Sequence, residues 1–266
     1  MRRTFHFLIF FATSCLILQA CSSSPSVIPP TSQPTLIPTE TLKPQPTALP
    51  SATIPATSTT LPVSEICTPL ADHELIRITD YISNAYADPI GSNLETGHHG
   101  VDFSYIYKDD TDQIIDGTPV QTMFTGRVAG LGADRLPYGN MLVIETAAQD
   151  LPEWVREMFQ VPAASSLYLL YAHMLAPPTL SIGQELSCGE ILGLVGNTGF
   201  SGNPHLHLET RVGPSGIALP TMIFYDTQAT LAEQAAYTEW RTGPTWTKFD
   251  PTPFLEQAGA PHGTSP

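Results

Sequence analysis

The chain is 266 residues long and carries 11 Lys and Arg against 25 Asp and Glu, a formal charge of −14 with histidines neutral. That balance, without a basic cluster or an interleaved aromatic stripe, argues against a nucleic-acid surface and describes a thinly charged, soluble molecule. With a low-complexity N-terminal part set aside, the length has room for one sizeable domain.

Met1 to Ala20 opens on Arg2 and Arg3, runs through apolar residues from Phe5 to Leu18 and ends Leu18-Gln19-Ala20-Cys21. A charged start, a short apolar core and a small residue before the break describe a secretory signal, too short for an ordinary membrane span. The Leu-x-Ala-Cys ending resembles a bacterial lipobox. That resemblance implies loss of residues 1–20, a lipid on Cys21 that holds the chain to a bacterial membrane, and a domain outside the cytoplasm. Ser22 to Val63 then holds ten Pro and sixteen Ser or Thr, with Glu40 and Lys43 its only charges. Such a segment buries too little apolar surface to offset its ordering entropy. Residues 21–63 therefore read as a disordered tether, reaching roughly 130 Å if extended like polyproline.

A folded domain is expected over residues 64–258, followed by a short disordered tail, 259–266. Asp72 suits the cap of a short helix carrying Leu75, Ile78 and Ile82 on one face. Strands follow near Val101–Tyr107, Val120–Leu131, Met141–Glu145, Leu167–Ala172, Ile191–Val195 and His205–Arg211, with glycine-bearing turns at 116–117, 130–132 and 196–199. Short strands without intervening helices predict a mainly β, antiparallel sandwich or barrel with short peripheral helices. Pro152 to Val161 places Trp154, Val155, Met158 and Phe159 at helical spacing, either as a wall of a groove or as a cap on the sheet. Thr230-Leu-Ala-Glu233 has capping-box order and opens a helix running to about Trp240, whose aromatics read as packing. In an exported protein the remaining Cys67 and Cys188 pair as a disulfide.

Five of the eight histidines fall in three places: His98-His99-Gly100-Val101-Asp102, Tyr171-Ala172-His173 and His205-Leu206-His207. On a strand, residues two apart share a face, so His205 and His207 project side by side. Imidazoles with a carboxylate suit zinc, and three protein ligands leave the fourth position open for water.

From about His98 to Arg211 the chain resembles the lysostaphin and LytM-type zinc metallopeptidases, which cut peptide bonds in peptidoglycan. The resemblance is carried by HHGVD (98–102), GTPV (117–120), TGRV (125–128), YGNMLVI (138–144), YAHM (171–174), IGQELSCGEILGLVGNTG (182–199) and PHLHLE (204–209). It implies a LytM (duplicated hybrid motif) domain holding one Zn²⁺. By its His-x-Gly-Ile/Val-Asp register, His98 rather than His99 joins Asp102 and His207 as metal ligands. The same resemblance makes His205 the general base and gives His173 the orientation of water or the stabilisation of an oxyanion. Five bound side chains would leave no open position and no base, so this division is chemically consistent. Some relatives place a Tyr upstream of the first histidine; Gly91-Ser92-Asn93-Leu94 contains none. Glu209 shares the His207 face, as a partner behind that ligand or as a solvent-facing carboxylate.

These readings imply a surface-anchored zinc endopeptidase acting on stem or cross-bridge peptides of peptidoglycan. A non-hydrolytic LytM-like domain that binds wall or activates an amidase is the alternative, although such domains commonly lack residues retained here. A peptidase with a protein substrate is a third.

Overall fold

The computed structural model describes residues 66–108 and 111–260. The leader, Cys21, the tether and residues 261–266 of the expected tail lie outside the described residues. In chain order the strands are β1 (Ile82–Asn84), β2 (Val101–Phe103), β3 (Tyr105–Lys108), β4 (Thr111–Ile114), β5 (Pro119–Gln121), β6 (Gly126–Arg135), β7 (Gly139–Ala147), β8 (Ser165–Met174), β9 (Glu185–Leu186), β10 (Ile191–Leu194), β11 (Leu206–Pro214) and β12 (Thr247–Phe249). The α-helices are short: α1 (Glu153–Met158), α2 (Leu231–Thr242) and α3 (Thr252–Gly259). Among the described residues, none is long and apolar enough to cross a membrane.

An antiparallel sheet runs in the order β1-β2-β11-β8-β7-β6-β9, with β12 also on β11, and β3–β4 and β5–β10 form two-stranded ribbons. This is the mainly β, antiparallel architecture expected from the strand spacing. The central strands are buried on both faces, which is why β8 reads as a nearly continuous apolar run rather than an alternation. Leu167, Leu169 and Tyr171 enter one core with Leu142, Ile144, Leu206 and Leu208. Tyr168, Leu170 and Ala172 enter the other, with Val143, Tyr237, Trp240 and Trp246.

Two expected strands are each divided. Val120–Leu131 breaks between β5 and β6, where Thr122 Oγ1 donates to Phe124 O (2.7 Å) and the backbone of Met123 bonds Tyr171 Oη and Cys67 instead of a ladder. Val101–Tyr107 breaks at Ser104, whose N–H turns to Tyr81 O, so that β2 stays in the main sheet and β3 leaves it. Asp72 does not cap a helix: its φ is +63°, and the turn that follows is a 3₁₀ helix, Leu75–Tyr81, without a side-chain cap. The capping box does form, Thr230 accepting from Glu233 N while the Glu233 side chain accepts from Thr230 N. Cys67 and Cys188 are bonded, with Cα atoms 5.7 Å apart. Helix α1 packs by Trp154 against Phe254, ring centroids 5.9 Å apart. No residue of 152–161 lines the cleft described below, so the helix covers the core rather than walling that cleft.

Candidate active site

Antiparallel register assembles the site. On β2 and β11, Asp102 lies directly opposite His207, and on β1 Asn84 lies opposite Asp102. Directly opposed residues share a face. Asp102 Oδ1 is 2.7 Å from His207 Nδ1 and 3.1 Å from His98 Nε2, and those two nitrogens are 3.2 Å apart. Among the described residues this trio is the group of ligand atoms close enough to hold one metal ion, all within 4.8 Å of one another. Gly100 is required between them, because a Cβ there would lie 2.3 Å from Leu208 O of β11.

Each imidazole is pinned through its other nitrogen. His98 Nδ1–H donates to Ala85 O (2.9 Å), which turns Nε2 toward Asp102. His207 turns Nε2 to Glu209 Oε1 (3.1 Å) and so presents Nδ1. Two imidazole nitrogens and a carboxylate oxygen converging on one point, with the distal nitrogens occupied, fit a divalent ion such as zinc.

Two more histidines stand beside the trio. His205 Nε2 is 3.6 Å from Asp102 Oδ1, while its Nδ1 is bonded to Asn203 O (2.8 Å). Alternation alone would put His173 on the face opposite Ala172. A bulge in β8 and a φ of +63° re-aim its ring to 4.6 Å from that of His205, with Nδ1–H given to Thr198 O (2.8 Å). The loop carrying Thr198 is held by Gly199, whose φ of +75° and absent Cβ let it lie against Gly139. His173 and His205 therefore both offer Nε2 as an acceptor. For His173 this favours holding a water over donating to an oxyanion, the other half of the expectation.

Burial and charge sort the groups further. Burial, then repulsion by His207 and His205, lowers His173 to about 3, so it is neutral near pH 7. Burial alone would raise Asp102, but hydrogen bonds from His207 and His98 outweigh it and hold the carboxyl well below its usual range. Burial likewise opposes a charge on His207, and its bonds to Asp102 and Glu209 reverse the sign, raising it to about 9 in the metal-free protein.

Glu209 is 0 % exposed, so the solvent-facing alternative for it is excluded. His99 is also fully buried and apart from the trio, with Nε2 3.1 Å from Thr96 O. Sequence reasoning missed Asn84, whose Nδ2 donates to Asp102 Oδ2 (2.9 Å), and Tyr138, whose hydroxyl donates to Glu209 Oε1 (2.8 Å). Asn84 lies outside the quoted motifs, and Tyr138, although it opens YGNMLVI, gives no local sign of its contact. Arg211 had a signal, since the two-residue period puts it on the face of His207 and Glu209. All five site residues open into one cleft of about 800 Å³, whose walls include Tyr138, Phe200, Tyr225 and Arg241.

A largely antiparallel β domain with a His–Asp–His group and two further imidazoles in one cleft has the donor set of a metal-dependent hydrolase. Residues 96–218 match the model of peptidase family M23. The segment is similar to the DD-carboxypeptidase/endopeptidase Mpg of Neisseria meningitidis serogroup B (strain ATCC 13091 / M2091), 33% identical over 127 residues, 46% of this chain and 24% of that protein. The protein of the same name from Neisseria gonorrhoeae (strain ATCC 700825 / FA 1090) matches to the same extent. The chain thus spans about a quarter of the length of these curated relatives. Among solved structures, the catalytic domain of the antimicrobial peptidase lysostaphin from Staphylococcus simulans superimposes with a TM-score of 0.39 at 21% identity, over 70% of this chain and 99% of that one. A zinc-containing peptidase from Vibrio cholerae gives 0.33 at 26% identity, over 48% of this chain and 32% of that chain.

Proposed function

We propose that the chain is a zinc endopeptidase that hydrolyses stem or cross-bridge peptides of peptidoglycan, exported and held to a bacterial membrane by a lipid on Cys21. The observation that carries the chemistry is the convergence of His98 Nε2, Asp102 Oδ1 and His207 Nδ1, with two acceptor imidazoles beside them. A zinc ion bound there supplies Lewis acidity, polarising the scissile carbonyl and lowering the pKa of water toward about 7.

The chain's own residues do the rest. His205 takes a proton from the attacking water at Nε2, since its Nδ1–H is given to Asn203 O. As the C–N bond breaks, the same nitrogen returns that proton to the leaving amine. His173 Nε2 holds the water from its other side, and its neutrality keeps that lone pair available. The match to the M23 model and the DD-carboxypeptidase/endopeptidases among the relatives support the substrate class. The charged start, apolar core and Leu-x-Ala-Cys order support export and anchoring.

The test incubates the purified chain with sacculi of known chemistry, with and without a zinc chelator, and identifies released muropeptides by mass spectrometry. Chelator-sensitive release of new amine and carboxyl ends is expected. Intact sacculi with zinc-loaded protein would refute hydrolysis. For the anchor, metabolic labelling with a fatty-acid analogue should mark the wild type and not Cys21→Ala.

A further inference from the structure

We infer that α2, which lies beyond the family segment, belongs to the metal site: Trp240 is a positioning residue that holds Glu209, and through it the ligand His207. The inference rests on the metal-site reading above. Strand β11 presents His207, Glu209 and Arg211 on one face. Glu209 Oε1 accepts from His207 Nε2 (3.1 Å) and from the Tyr138 hydroxyl (2.8 Å). Oε2 accepts from Arg211 Nη2 (2.7 Å), Arg211 Nε (3.1 Å) and Trp240 Nε1 (2.9 Å).

A carboxylate offers about four lone-pair positions, so five donors over-determine its orientation. Glu209 and Trp240 are both 0 % exposed, and the carboxylate cannot turn away from His207 without stranding a buried donor. Its orientation keeps the imidazole proton on Nε2 and leaves Nδ1 aimed at Asp102 and His98. Trp240 acts on this group twice, because its ring also lies 4.7 Å from the Arg211 guanidinium, the principal cation on Glu209.

The competing account makes Trp240 only a core residue among Tyr237, Trp246 and Met222. Trp240→Phe separates the two, since it keeps an aromatic ring and removes the N–H; Glu209→Gln and Tyr138→Phe probe the same carboxylate from other sides. The full chain is titrated with zinc against a chromophoric chelator, well below any variant's melting temperature, and the melting temperature of each metal-free form is recorded separately. Zinc affinity should fall about 10–100-fold in Glu209→Gln and several-fold in Trp240→Phe and Tyr138→Phe. Variants that bind zinc as the wild type does, whatever their melting temperatures, overturn the inference while leaving the metal site standing. A wild type that binds no zinc overturns the metal-site reading and this inference together. Should Trp240→Phe not fold, Glu209→Gln and Tyr138→Phe decide the matter on the same readout.

Discussion

His205 and His207 sit two residues apart on one face, yet their partners differ. His207 directs Nδ1 at Asp102 and His98, whereas His205 spends its Nδ1 on Asn203 O and turns a free nitrogen to the cleft. His207→Ala should therefore lose bound zinc and activity together. His205→Ala should keep close to one zinc per chain while turnover falls roughly 10²–10⁴-fold, the range for a positioned general base. Elemental analysis and muropeptide release on both variants check this, and the reverse pattern would mean the roles are exchanged. His99 makes a different, pH-dependent contribution. Burial and then the neighbouring Arg241 lower it to about 3, Lys248 and Arg211 adding to the effect. In the unfolded chain a histidine takes its proton near about 6.5. Between those values the unfolded state binds more protons, so stability falls as pH falls. The melting temperature of the metal-free protein should drop on acidification from about pH 6.5 toward 4, less steeply in His99→Gln; parallel slopes would remove His99 from the account.

At the scale of elements, α2 reaches the site from two adjacent residues. Trp240 touches Glu209 behind His207, and Arg241 Nη2 donates to Glu95 O (3.1 Å) and Gly97 O (3.3 Å) just ahead of His98. The helix start matters accordingly: Thr230→Ala removes one half of the capping box and should cost about 1 kcal/mol in denaturant unfolding. The disulfide ties a second pair of elements. Cys67 lies where the entering chain pairs with the backbone around β5, and Cys188 lies in the turn between β9 and β10. Replacing both by Ser should cost about 2–5 kcal/mol, read as a lower denaturant midpoint. An unchanged midpoint would show that the entry segment holds without the bridge.

At the scale of the molecule, the family segment 96–218 is not a closed structural unit. Strand β1 edges β2 from before it, and β12 covers β11 from after it. Trp240, Trp246, Tyr237 and Met222 complete the core on the site's face of the sheet. Ending the chain after residue 218 would expose Tyr168, Leu170 and Val143 together, a patch that a soluble domain rarely tolerates. Such a truncation is expected to be insoluble or to unfold without a cooperative transition. Solubility and a sharp near-ultraviolet dichroism transition in the truncated protein would contradict this.

The sequence alone determined the antiparallel β class, the capping box and the five histidines and one aspartate that enter the cleft or adjoin it. Those features are written in local period, in turn residues and in side-chain chemistry, all of which act over a few positions. Which face of β11 is covered depends on long-range packing, because the cover over Glu209 comes from Trp240, 31 residues further on. Packing likewise brings Asn84 to Asp102 through the β1–β2 register and Tyr138 to Glu209 from the turn ahead of β7, pairings across 18 and 71 residues. The direction of His173 was hidden for the same reason. A bulge and a left-handed backbone override the alternation, and they persist because the packed loop at Gly199 and the carbonyl of Thr198 hold them there.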